Sequence, residues 1–184
     1  DYVGEMQRWQ NLDLRGLDWR GWVDLAVEVA RWDVGLDGAP EAGLQQAHGD
    51  FRRGLNADFS RFVETQYPRW VQSVHQNCPE ERPLLSSDVV RHAVAPHLAA
   101  GKRVNFIVID CMRLDQWFTL EPLLEEWFDV QRDYYCSILP TATPYSRNAI
   151  FSGLLPAQMW KKHPDLWQES TRSEEHTSEL QSRV

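Results

Sequence analysis

The chain has 184 residues, 42% of them hydrophobic and 25% charged, and its mean hydropathy of −0.52 excludes both a disordered polymer and a membrane span. Its 19 Lys and Arg against 27 Asp and Glu give a net charge of −8, which argues against broad nucleic-acid binding because that requires a basic face. Its three cysteines form no spaced pair and it shows no signal peptide, so we expect a reduced, cytoplasmic protein.

The first hundred residues predict helices. Apolar residues recur at helical spacing from Asp18 to Leu36, with Asp18 placed to cap the helix, and again from Leu44 to Phe62. A further helix is expected from Ser86 or Ser87, as its cap, to a stop at Gly101. Such helices must cover one another's apolar stripes, so residues 1–100 predict a helical bundle.

The apolar pattern changes at Arg103. The run Val104–Ile109 is short, apolar and rich in β-branched residues, which predicts a buried strand. A helical face follows between Trp117 and Trp127, and Val130–Leu139 is again strand-like. This order of helix, strand, helix, strand, loop and helix predicts a parallel α/β sheet covered by helices.

Two short stretches carry the residues best suited to chemistry. The first predicted strand ends in Asp110, and a carboxylate at the carboxyl end of a strand suits a divalent metal. The second leads to Thr143 and Pro144. If Pro144 takes the first helical position, Thr143 is the N-cap, and its hydroxyl lies where the helix start favours an anion. Beside a metal held by Asp110, this hydroxyl suits a nucleophile in phosphoryl transfer.

Each of these residues also has an ordinary interpretation. An aspartate after a strand is most often a turn or cap residue, and a Thr-Pro pair at a helix start is most often simple capping. We interpret Asp115 as a helix cap and Cys111 as a small packed hydrophobe. The histidines show no ligand spacing with carboxylates, and the tryptophan-rich helices are interpreted as core.

The two stretches together are more specific than either alone. Asp110, Arg113 and Asp115 follow the first predicted strand, and Thr143 after the second is followed by Ser146 and Arg147 three and four residues later and by Gly153 ten residues later. This pattern resembles the alkaline phosphatase superfamily. The segments FIVIDCMRLDQW and SILPTATPYSRNAIFSGLLP resemble the PglZ domain of PorX-type response regulators, and the preceding helices resemble the region that joins a receiver domain to that PglZ domain.

The resemblance implies an alkaline phosphatase-like α/β core, of which residues 101–171 are the N-terminal part, after a helical region over residues 1–100. By position, it makes Asp110 a metal ligand and Thr143 the nucleophile, itself touching a metal. Arg147 and backbone N–H groups become candidates for holding the phosphate oxygens. It also implies two zinc ions, whose other Asp and His ligands lie in a later half of the domain.

Both ends of the sequence differ from what we expect of natural chain termini. It starts at Asp1 rather than Met, as if it had been opened inside a longer protein. Residues 172–184 include RSEEHTSELQS, which a common sequencing-library adapter encodes, and we interpret them as read-through rather than native sequence. The natural protein is therefore expected to continue past Thr171.

The resemblance leaves two functions open. The first is a zinc-dependent phosphodiesterase or phosphatase, acting on a phosphoester or nucleotide-type small molecule, in a two-component response regulator of type IX secretion. The second is a non-catalytic regulatory module that binds a sigma factor or a secretion component. A homodimer is left open, and a membrane partner is not expected. The chain as given is expected to be inactive.

Overall fold

A computed structural model describes residues 2–36, 42–76 and 82–165. These residues divide into two units, one containing residues up to Pro83 together with Ile109–Asp133, the other containing Leu84–Val108 and the described residues from Tyr134 onward. The stretch interpreted as read-through, 172–184, lies outside the described residues. In the part of the chain that the structure describes, no helix is long and apolar enough to cross a membrane.

The described residues form seven α-helices, numbered in chain order. They are α1 (Tyr2–Gln10), α2 (Trp19–Leu36), α3 (Ala42–Gln76), α4 (Ala95–Ala99), α5 (Leu114–Glu125), α6 (Thr143–Ser152) and α7 (Pro156–Lys162).

Four of these helices, α1, α2, α3 and α5, build the first unit around an aromatic core. The predicted cap at Asp18 is confirmed, since its carboxylate accepts the N–H of Gly21 at 2.9 Å. Trp9 of α1 is buried and stacks on Phe51 of α3 with ring centroids 5.5 Å apart. On α5, Phe118 packs under the guanidinium of Arg31 from α2. The helices predicted for the first part of the chain are therefore confirmed over the described residues up to Gln76, whereas residues 84–100 belong to the second unit and α5 joins the first.

The single helix predicted from Ser86 to Gly101 is instead built from three short pieces. A 3₁₀ turn (Ser86–Asp88) is followed by a π-helical turn (Val90–Val94) and then by α4. Ser86 is fully buried and is not a solvent-facing cap. The predicted stop is confirmed, because Gly101 has φ +73 and only glycine takes that conformation readily.

Neither predicted strand forms within the described residues. Residues 102–109 carry no regular secondary structure, and Ile107 is 78% exposed rather than buried. In the second predicted strand, Cys136 makes one isolated parallel bridge with Leu85. A parallel strand satisfies its backbone only between neighbours, and no described segment pairs with residues 104–109. The α/β sheet expected over residues 101–171 is therefore not seen among residues 101–165, the part of that range that the structure describes.

Candidate functional site

Asp110 lies in the first unit, in the turn that precedes α5. Its side chain is exposed, and its Oδ1 accepts the backbone N–H of Cys111 at 2.9 Å. Cys111 has φ +61, in the left-handed region that costs a residue with a side chain, and it is exposed. The interpretation of Cys111 as a packed hydrophobe is therefore wrong, because its turn directs it away from any core.

Asp115 is not the cap of α5. Arg113 occupies the N-cap position and donates two hydrogen bonds to the Asp115 carboxylate, from Nε at 2.9 Å and from Nη2 at 2.6 Å. These bonds, more than any other factor, lower the pKa of Asp115. The two residues form an exposed ion pair on the turn after Asp110. Asp115 is thus engaged by a cation and is not arranged as a metal ligand.

Thr143 lies in the second unit as the first residue of α6, and it is half-buried. The N-cap is Ala142, whose carbonyl accepts the N–H groups of Tyr145 and Ser146 at 3.0 and 3.1 Å. The prediction that Thr143 caps the helix is therefore wrong by one residue. Proline lacks an N–H and is tolerated at any early position of the first turn, so Pro144 fits the second position as well as the first.

The start of α6 offers fewer backbone N–H groups to an anion than we expected. Pro144 has none, and those of Tyr145 and Ser146 are used by Ala142. Arg147 lies four residues after Thr143, and residues at that spacing share a helix face. The guanidinium of Arg147 is therefore the cationic group that α6 carries on the Thr143 face.

Three serines that sequence reasoning did not combine meet at Ser146 of α6. Ser146 is buried, and its hydroxyl is 3.2 Å from that of Ser86 and 2.7 Å from that of Ser137. Ser146 is thereby occupied inside the unit and is not available to a substrate. Nothing in the sequence marks this cluster, because the three residues come from separate segments and serine is common in loops.

The residues predicted to form the site are divided between the two units. Thr143 and Arg147 share α6 in the second unit, whereas Asp110 belongs to the first. The Asp110 carboxylate is of a kind that binds zinc, but zinc takes four ligands. In the described part of the chain, no group of three or more His, Cys, Asp or Glu residues could hold a metal ion. Neither Asp110 nor Thr143 belongs to such a group within the described residues, and their roles as metal ligands stay predictions.

Two family models match the chain. The model of the BREX system PglZ alkaline phosphatase-like domain matches residues 89–182, just over half of the chain. The model of the PorX response regulator linker domain matches residues 2–71. No curated protein matches the chain. The linker match covers α1, α2 and most of α3, and the PglZ match covers Asp110 and all of α6.

Proposed function

The chain belongs to the PglZ alkaline phosphatase-like family and carries a PorX response regulator linker, and we propose from this that the intact protein is a response regulator with a zinc-dependent phosphodiesterase or phosphatase output domain. Its substrate is a phosphoester or nucleotide-type small molecule, and its output regulates type IX secretion. The observation that carries the proposal is the hydroxyl of Thr143 at the first position of α6, with Arg147 one turn further on.

Thr143 is the nucleophile in this proposal. Its Oγ attacks phosphorus, the bond to the leaving alkoxide breaks, the hydroxyl proton passes to solvent, and a phosphothreonine results. Water then attacks the same phosphorus, breaks the bond to Oγ and regenerates the hydroxyl. Arg147 stabilises the charge on the non-bridging oxygens through both steps, because a guanidinium matches phosphate geometry.

Asp110 and Thr143 are the residues of this chain that would hold zinc. The ion supplies positive charge that makes the phosphorus more electrophilic and offsets charge on the leaving oxygen. The remaining ligands must come from outside the described residues, since four donors are needed. The exposed carboxylate of Asp110 fits this role, because it can accept an ion without first being uncovered.

The test is hydrolysis of bis-(para-nitrophenyl) phosphate by the full-length protein in a zinc titration. Thr143→Ala should abolish turnover because it removes the attacking oxygen, whereas Thr143→Ser should retain substantial activity because it keeps the hydroxyl. Ser152→Ala, on the same helix, is the matched control and should behave as the wild type. Full activity of Thr143→Ala, with normal zinc content, would refute the role of Thr143.

The alternative function is a non-catalytic module that binds a sigma factor or a secretion component. It is favoured by large apolar side chains exposed at the end of α5, among them Trp127, which is 79% exposed, and Phe128. Paired Trp127→Ser and Phe128→Ser changes that abolish the secretion response, together with a silent Thr143→Ala, would favour this function over catalysis.

A further inference from the structure

A closed chain of hydrogen bonds joins three serine hydroxyls to the backbone of one residue in the second unit. The N–H of Ile138 donates to Ser86 Oγ at 3.1 Å, and Ser86 Oγ lies 3.2 Å from Ser146 Oγ. Ser146 Oγ lies 2.7 Å from Ser137 Oγ, which in turn donates to the carbonyl of Ile138 at 3.4 Å. This series of hydrogen bonds starts at the N–H of Ile138 and ends at its carbonyl, and we call it the serine circuit.

The serine circuit has one direction in which every hydroxyl donates one bond. Ser137 uses its one proton on the Ile138 carbonyl, which can only accept. Ser146 is therefore the donor to Ser137, and Ser86, which accepts from the backbone N–H, is the donor to Ser146. Each hydroxyl accepts once and donates once. A buried network whose members are all satisfied holds its groups in one arrangement, and the loss of one member leaves each of its neighbours one hydrogen bond short.

The serine circuit ties together the segments that place Thr143. Ser146 lies three residues after Thr143 on α6, and Ser137 lies in the segment that leads into the start of that helix. Ser86 lies in the turn that also faces the end of α6. There, a Cβ on Gly153 would come within 3.7 Å of the carbonyl oxygen of Ser87. The circuit therefore connects α6 to both the segment before it and the turn behind it.

We infer that Ser146 is a positioning residue, which holds α6 in register through the serine circuit so that the hydroxyl of Thr143 stays aligned for attack. This inference rests on the proposed function. Ser146 does not bind substrate, because its buried hydroxyl already accepts from Ser86 and donates to Ser137. Its influence passes to the reaction through the backbone of α6, one turn away from the nucleophile.

The kinetic constants of a Ser146 variant distinguish a positioning role from a purely structural one. If the circuit only stabilises the fold, the folded fraction of Ser146→Ala turns over at the wild-type rate. If it positions Thr143, kcat falls about tenfold to about 100-fold in the folded protein while KM changes by less than about twofold, since small misplacements of a nucleophile slow chemistry more than binding.

The experiment uses the full-length protein with zinc and bis-(para-nitrophenyl) phosphate. Ser146→Ala is compared with Ser152→Ala, an exposed serine of the same helix outside the circuit, and with Thr143→Ala. We expect a fall in kcat for Ser146→Ala, no change for Ser152→Ala and no activity for Thr143→Ala. A folded Ser146→Ala protein with wild-type kcat, beside an inactive Thr143→Ala, overturns the positioning role alone. An active Thr143→Ala overturns the proposed function itself.

A second pair of variants covers the case in which Ser146→Ala does not fold. Ser137→Ala breaks the serine circuit at a half-buried member and should lower kcat in the same way, with KM preserved. Combined with Ser86→Ala, it should lower kcat by less than the product of the two single effects, because both changes open the same circuit. A double variant whose effects multiply fully, or a Ser137→Ala protein with unchanged kcat, overturns the inference.

Discussion

A buried chain of polar contacts joins three helices of the first unit. His48 on α3 accepts a hydrogen bond from the Tyr2 hydroxyl of α1, with 2.5 Å between Oη and Nδ1. Its Nε2 donates to Asp33 Oδ1 of α2 at 2.6 Å, and Arg52 donates to the same oxygen at 3.1 Å. Burial, followed by the nearby Asp33 carboxylate, raises the pKa of Tyr2, which keeps its hydroxyl protonated as the donor.

We expect His48→Leu to lower the free energy of unfolding by about 2 to 4 kcal/mol. The substitution fills the buried position with an apolar side chain but leaves the Tyr2 hydroxyl without an acceptor. A buried polar group without a partner costs about 1 to 3 kcal/mol. The Asp33 carboxylate loses the hydrogen bond from His48 and keeps the one from Arg52, so this loss adds about 1 kcal/mol. Tyr2→Phe removes only the hydroxyl and should cost about 1 to 2 kcal/mol.

The assay is urea unfolding followed by tryptophan fluorescence, with His97→Leu as the control. His97 is exposed on α4, so its substitution should change the free energy by less than about 0.5 kcal/mol. The double variant Tyr2→Phe with His48→Leu should lose about 1 kcal/mol less than the sum of the single losses, because both changes remove the same bond. A His48→Leu protein as stable as the His97→Leu control would refute this account of how the three helices are joined.

Three further expectations concern other parts of the chain. Arg132→Ala should lower the free energy of unfolding by about 2 kcal/mol at neutral pH, because it removes the cation that pairs with the buried Glu121 carboxylate. The Arg132 hydrogen bond lowers the pKa of Glu121, so the stabilisation is present above the ordinary value of 4.5 and disappears as the pH falls through the lowered folded-state pKa; melting curves that stay apart at acid pH would contradict this. Cys111→Gly should raise the free energy of unfolding by about 0.5 to 1 kcal/mol by relieving the positive φ, and urea unfolding that shows a loss would count against the strained turn. The chain as given should bind zinc weakly and hydrolyse no phosphodiester, since Asp110 and Thr143 supply two of four ligands, and tight binding in calorimetry with measurable turnover would overturn those assignments.

The helices were predictable because their signals are local. The apolar stripe of α2 and the cap at Asp18 lie within a few residues of the structure they specify. The stop at Gly101 and the left-handed Gly153 at the end of α6 follow from the conformational freedom of a single residue type. Signals of this kind do not depend on the rest of the fold, so they hold although the described residues contain no sheet.

The strands were not predictable in the same way, because a strand is completed by its neighbours. The run Val104–Ile109 has the β-branched, apolar character of a buried strand, yet the described residues offer it no partner and Ile107 remains exposed. The pattern therefore predicts a strand for which the described residues supply no neighbour. In the second predicted strand, likewise, the described residues form one isolated bridge, between Cys136 and Leu85, and no continuous ladder.

The candidate site depends both on local sequence signals and on contacts between segments that are distant in the sequence. The position of Thr143 at the start of a helix was readable from Pro144, but the choice between the cap and the first helical residue was not, since proline fits either register. The serine circuit had no sequence signal at all, because Ser86, Ser137 and Ser146 meet only when three segments pack. In the proposed mechanism, the motif identifies the attacking group, whereas the alignment of its oxygen depends on contacts that only the folded structure reveals. The residues most informative for the proposed mechanism are therefore the buried partners of α6 as well as Thr143 itself.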